Sequence, residues 1–318
     1  MSKVTKIVLI TAGSLIALGI VVSLIGIAVM RNSAKKRENT PVVYEHKEEV
    51  ITEDFTKFDI AEISENVEIR PSADGQVTID YYDAEDYMHN IEVSDDTLMI
   101  KVKTYDDDTP WWKRFTFSFD IEGLMSTVDN IEHPTVIYLP EDSYGSLSIF
   151  NVSGDVIVPE NYSFDGVDVD TTSGEITIEC AASGKVSINT ISGGVTLSNI
   201  NATSLDISTT SGDVRLTDGK VSGRSDISTV SGEIFLTRFE TDDLNSDTVS
   251  GEVKLDSLTV NTAGITTTSG DVTGTVTGNH EFAVDTTSGD VSVEESLRGE
   301  SLFKIDTVSG DVRIDKAA

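Results

Sequence analysis

Cysteine is almost missing from this chain: Cys180 is the one cysteine in 318 residues. No intrachain disulfide can form, and no cysteine-based zinc site can be assembled. Cys180 follows Ile176 and Ile178 at period two, which predicts a small buried hydrophobe. Aromatic residues make up 7% and hydrophobic residues 38%, too little for one thick core but enough for a narrow, elongated one. Basic residues are scarce as well, 23 against 55 acids, for a net charge of −32. So acidic a body repels phosphate backbones, which argues against nucleic acid as a partner. Amphipathic helical periodicity is absent. The four histidines, His46, His89, His133 and His280, show no metal or triad spacing, and no glycine-rich phosphate loop occurs. No catalytic, cofactor or metal site is expected.

What is present is a repeat. Ser-Gly recurs at Ser153-Gly154, Ser173-Gly174, Ser192-Gly193, Ser211-Gly212, Ser231-Gly232, Ser250-Gly251, Ser269-Gly270, Ser288-Gly289 and Ser309-Gly310, with steps of 19 to 21 residues. A constant period of this length means one stacked structural unit per period. With the serine as position zero, position −4 is apolar in eight copies and Ser246 in the other. Position −2 is Thr171, Thr190, Thr209, Thr229, Thr248, Thr267, Thr286 or Thr307, with Asn151 in the first copy. Positions +3 and +5 are apolar again, as in Val214/Leu216 and Ile234/Leu236; Val272/Gly274 is the weak copy. Period-two alternation with β-branched residues predicts strands. The reading is an all-β parallel solenoid of about 19 residues per rung, right-handed by the general preference of parallel crossovers. Each rung has two short strands meeting at a Thr-x-Ser-Gly corner. In it, threonine and serine face inward and glycine supplies the turning conformation. Position +2 is acidic except at Gly194. The ladder reads as a solvated edge, with cation bridging by calcium as the alternative.

The rest of the chain is organised around this body. Ile7–Met30 is an uncharged apolar run, long enough as a helix to cross a bilayer. It reads as a transmembrane anchor after a short cytoplasmic tail, 1–6. Residues 31–50 read as a linker, basic at Arg31–Arg37 and then mixed in charge. Flanking charge leans by one toward a cytoplasmic C-terminal side, whereas the short tail favours an extracytoplasmic body. Residues 51–140 alternate as short strands without the repeat signature, giving a β-rich cap or degenerate rungs before the regular solenoid, 141–318. Both tryptophans lie in one segment, Asp106-Asp107-Asp108-Thr109-Pro110-Trp111-Trp112-Lys113-Arg114-Phe115. Trp111, Trp112, Lys113 and Arg114 form a candidate interaction loop for a membrane surface or a glycan, or else a plug over the open end of the solenoid. The last rung, at Ser309-Gly310, is expected to expose an edge suited to self-association.

The pattern Thr-[Thr/Val/Ile]-Ser-Gly-[Asp/Glu]-[Val/Ile]-x-[Leu/Ile/Val], with the opening strand Asp54–Ile60 and the run Val136–Pro140, resembles the bacterial putative-adhesin family of β-strand-repeat domains of unknown function. The resemblance spans roughly residues 55–318. It implies a surface-exposed or membrane-anchored protein linked to cell-envelope stress, and brings no catalytic residues with it. Three functional readings follow. The first is a membrane-anchored, extracytoplasmic binding or scaffolding module, with an envelope protein or glycan as partner. The others are a polysaccharide-acting β-helix enzyme and a passive spacer.

Overall fold

The structure is a computed structural model that describes residues 43–84, 87–103, 133–293 and 301–317. The apolar run 7–30, its basic flank and the Trp111–Arg114 segment lie outside the described residues. Those residues form twenty-six β-strands and no helix, so none of them forms a helix able to cross a membrane.

Coil stacking follows the period of the sequence. Val195, Val214, Ile234 and Val253 are parallel register partners on one side of the solenoid, and Ile188, Ile207 and Ile227 on another. All seven are buried, in a core one side chain deep that runs the length of the stack. Each regular coil has three sides rather than two. The third is a short pairing, such as Asn201↔Lys220 and Ala202↔Val221. A second turn creates it, through Asn199, Asp218, Arg238 and Ser257, whose φ values of 57°, 54°, 48° and 59° lie in the left-handed region. Asn and Asp tolerate that region better than most residues. The chain then dives back into the core at Ile200, Phe239 and Leu258.

The Ser-Gly corner differs from expectation in two respects. Glycine is required by proximity more than by conformation, since of the nine corner glycines only Gly174 has a φ in the left-handed range, 137°. A Cβ on Gly193, Gly212, Gly232 or Gly251 would fall well inside van der Waals distance of the carbonyl oxygen of the corner glycine one coil below. Thr171, Thr209, Thr229 and Thr248 do point inward, but Ser211, Ser231, Ser250 and Ser269 are exposed. The serine hydroxyls reach sideways instead. Ser211 Oγ donates to Ile191 O at 3.3 Å, and Ser231 Oγ to Thr210 O at 3.4 Å. The threonine hydroxyl closes the corner from inside: Gly212 N–H donates to Thr209 Oγ1, and Gly232 N–H to Thr229 Oγ1, both at 3.0 Å.

Both ends depart from simple sequence order. At the first end, β1 (Glu45–Ile51), β4 (Val77–Asp83) and β7 (Thr135–Leu139) pair antiparallel in succession. There β5 (Met88–Ser94) also pairs antiparallel with β6 (Thr97–Lys103). Residues 45–50, expected within a charged linker, therefore belong with Ile51 to the outermost cap strand; half-buried Lys47, Glu49 and Ile51 alternate with exposed neighbours. Between cap and repeat lies one more coil, β2 (Lys57–Ala61) and β3 (Val67–Pro71). It stacks on β8 (Ser143–Asn151) and β9 (Val156–Val158) through Ile60↔Ile149 and Val67↔Val156. At the far end the rung expected to be exposed is internal. Strands Ser301–Ser309 and Val312–Lys316 insert between Val253–Thr266/Val272–Thr277 and His280–Ser288/Val291–Val293. Phe303, Ile305, Val312 and Ile314 are buried there, while Val291 in the outer coil is 46% exposed.

Gly232→Ala is expected to lower stability by about 3 kcal/mol, because backbone on both sides must move. Ser231→Ala should cost less than about 0.5 kcal/mol. Ser246, buried between Ile227 and Ile265 with no partner for its hydroxyl, is the converse case. Ser246→Val should stabilise by about 1 kcal/mol. Chemical-denaturation midpoints of the three variants check all three signs.

Candidate functional site at the base of the solenoid

The inward threonine column and the corner glycine column both end in carboxylates. Register places Ser64 beside Ser153, so Glu62 takes the position of threonine and Glu65 that of glycine. On the outward side of this coil, β6 and β7 are joined in sequence by residues 104–132. Three strands then bring charged residues to one place. Glu62 continues the inward phase of Phe58 and Ile60, Asp83 that of Ile79 and Tyr81, and His89 that of Ile91 and Val93.

The result is a buried row of alternating charge. His89 Nε2 lies 3.0 Å from Glu62 Oε1, and Nδ1 lies 2.9 Å from Asp83 Oδ1. Carboxylate oxygens beside both ring nitrogens suit the doubly protonated, cationic imidazole, in which each nitrogen donates. Glu62 also accepts from Tyr87 Oη and from Thr135 Oγ1, each at 2.8 Å. Asp83 accepts from the His89 backbone N–H at 2.9 Å and from Lys47 Nζ at 2.7 Å. The side chains of His89 and Glu62 have no exposed surface. Burial alone would push the His89 imidazole down, but the bonds and charges of Glu62 and then Asp83 outweigh it and hold it above the ordinary value. Burial opposes the ionised Asp83 too, and the Lys47 and His89 bonds bring its carboxyl below the ordinary value. Glu65 is pushed up to about 7, first by burial and then by Glu62. Tyr87 is raised by burial and by Glu62, so it is a neutral donor.

With both nitrogens bound to carboxylates and no solvent contact, His89 is built to hold the cap together. Among the described residues, no hydroxyl or thiol is hydrogen-bonded to its ring. Among the described residues no group of three or more His, Cys, Asp or Glu is placed to hold a metal. A second ring cluster lies nearby, with His133 between Tyr44 and Tyr82 at centroid distances of 4.4 Å each.

Two further features singled out in the sequence lie among the described residues. Cys180 is buried and its thiol pushed up to about 12 by burial, so it stays protonated at neutral pH. In the acidic ladder, aspartates bind the next coil's backbone: Asp155 Oδ1 accepts from Glu175 N–H at 2.8 Å, Asp213 Oδ1 from Glu233 N–H at 2.9 Å, and Asp271 Oδ1 from Asp311 N–H at 2.8 Å. Like-charge stacking is offset by these charge-assisted bonds. A shallow groove of about 160 Å³ follows three corners, between Phe150, Asp170 and Asn189 on one side and Thr172, Ile191 and Thr210 on the other.

The pH dependence of the base follows from these groups. His89 contributes stability that is full below about pH 6.5 and lost as pH rises through its higher folded value. Glu65 acts in the same direction, because its folded state prefers the proton; the penalty grows from its ordinary value of 4.5 and is complete above about 7. Asp83 protects from the acid side, its contribution lost as pH falls through its depressed value. The melting temperature should therefore peak near pH 5 and fall by pH 8. Glu65→Gln should flatten the fall between pH 5 and 7. A melt of Glu65→Gln that tracks the parent across that window would contradict this assignment.

The family match agrees with the fold. The Toastrack DUF4097 family matches residues 55–241 and 234–318. No curated protein matches the chain. Among solved structures, a putative adhesin from Parabacteroides merdae ATCC 43184 is 14% identical with a TM-score of 0.48, covering 88% of this chain and 98% of that one. A putative lipid binding protein from Parabacteroides distasonis ATCC 8503 is 16% identical with a TM-score of 0.49, over 88% and 98% of the two chains. A putative adhesin from Bacteroides fragilis NCTC 9343 is 11% identical with a TM-score of 0.41, over 86% and 97%. With its family match covering the cap's inner coil and every Ser-Gly coil, the chain belongs to the Toastrack DUF4097 family.

Proposed function

We propose that the chain is an adhesin-like binding and scaffolding module, anchored in a membrane by residues 7–30 and displaying its acidic solenoid outside the cell. The observation that carries this reading is where the chain enters and leaves the cap. Residue 43 leads into β1, residue 103 ends β6, and residue 133 precedes β7, and all three lie at the same end of the solenoid. The apolar run, the basic cluster Arg31–Arg37 and the segment with Trp111, Trp112, Lys113 and Arg114 all attach to that base. Apolar, aromatic and cationic residues together suit a membrane surface. The far tip lies about ten inter-strand steps away, roughly 48 Å. A rod of that kind holds a binding surface clear of the bilayer.

The regular sides of the rod favour display over catalysis. Lys220 pairs with Glu240, Arg238 with Asp218 and Lys254 with Glu233 across neighbouring coils. These acids are engaged in cross-coil pairs, whereas polysaccharide cleavage needs two carboxylates set apart for the purpose. A role in the envelope stress response rests on the family resemblance alone.

Two measurements test the reading. Cys180 is buried and Ser250 is exposed, so a Ser250→Cys chain carries one reactive thiol on its surface. A membrane-impermeant maleimide should label that chain on intact cells and leave the parent unlabelled. Labelling only after lysis would contradict extracytoplasmic display. In parallel, in a chain lacking residues 1–30, Trp111→Ala with Trp112→Ala should lower association with anionic vesicles at least tenfold while leaving the melting temperature unchanged.

A further inference from the structure

The coil at Ser309-Gly310 is last in sequence but next to last in space. Phe303 pairs with Ala263 on one side and Phe282 on the other, and Val312 pairs with Val272 and Val291. Backbone bonds run both ways from it. Ser309 N–H donates to Thr268 O at 3.0 Å, Thr267 N–H to Asp306 O at 2.9 Å, and Gly310 N–H to Ser288 O at 3.2 Å. Among the described residues, every strand partner of His280–Ser288 and Val291–Val293 belongs to this inserted coil. The outer coil is thus held on the rod by a segment that follows it in sequence.

The slot is selective. A Cβ on Gly310 would collide with Gly270 O, and one on Gly289 with Gly310 O, so the occupant needs glycine at its corner. It needs inward apolar residues where Phe303, Ile305, Val312 and Ile314 sit. Charge does not select the occupant: Lys304 and Arg313 of the inserted coil pair with its own Asp306 and Asp315, and Asp285 of the outer coil lies opposite Asp306. What the slot recognises is an extended segment of the pattern apolar-x-apolar-x-Thr-x-Ser-Gly-Asp-apolar-x-apolar.

We infer that this slot is a complementation site for the repeat coil itself, and that the partner it fits is residues 301–317 of a second copy of this chain. Exchange makes no new kind of contact: the incoming coil pairs with residues 253–277 and 280–293 of its host as the resident coil does. Two copies exchanging this coil join at their tips, away from the base.

Full-length chains test this directly. Thr273 and Arg313 are register partners on neighbouring strands, close enough for a disulfide. A chain carrying both Thr273→Cys and Arg313→Cys should form that bond internally. A Thr273→Cys chain mixed with an Arg313→Cys chain of different mass, then passed through partial unfolding and refolding, should give a disulfide-linked heterodimer bridged at 273 and 313. Gly310→Ala in the donor chain should reduce its yield at least tenfold. Overturning results are an intact internal bond in the double variant with no heterodimer in the mixture, heterodimers bridged through Cys180, or a yield indifferent to Gly310→Ala.

Discussion

The architecture depends on how closely neighbouring backbones approach at the Ser-Gly corner. Eight of the nine corner glycines lie against the carbonyl of a neighbouring corner glycine, and Gly154 against that of Glu65, leaving no room for a side chain between them. That approach fixes the register of the two long sides, because one residue of slip would bring a Cβ into the gap and turn the apolar faces outward. Threonine holds the corner from inside by accepting the glycine N–H, and serine ties it sideways to the next coil. The motif persists because a steric constraint recurs at every level of the stack.

Where that constraint ends, charged chemistry begins. The first coil has Glu62 and Glu65 in the threonine and glycine positions, and the antiparallel cap brings His89, Asp83 and Lys47 against them. A buried row of alternating charge adds little net stability over an apolar core, but removing any one member leaves a neighbour uncompensated. It therefore specifies one way of closing the solenoid. The same base receives the chain from residue 43 and borders residues 104–132. The titrating groups of the cap therefore lie at the end of the rod from which the proposed anchor departs.

Much of the fold was legible in the sequence, for identifiable reasons. The period, the inward columns at −4, −2, +3 and +5, and the parallel stacking all follow from alternation repeated at fixed spacing. The third side of each coil was missed because its turn uses Asn199, Asp218, Arg238 and Ser257, which read as ordinary polar positions. The base cluster left a usable signal that was overlooked: Glu62, Asp83 and His89 each continue the inward phase of an apolar strand. Coil order at the far end left none. The coils at Ser269, Ser288 and Ser309 share one pattern, and a pattern common to three coils cannot say which lies in the middle.

Residue-resolved amide hydrogen exchange on the folded chain measures the central constraint most directly. Gly193, Gly212, Gly232 and Gly251 should be among the slowest amides, since each is buried and bonded to a threonine oxygen. Phe303, Ile305 and Val312 should be protected like inner coils, and Val284 and Val291 should exchange faster. Rapid exchange at the four glycines, or protection that decreases steadily in sequence order toward residue 317, would contradict the account.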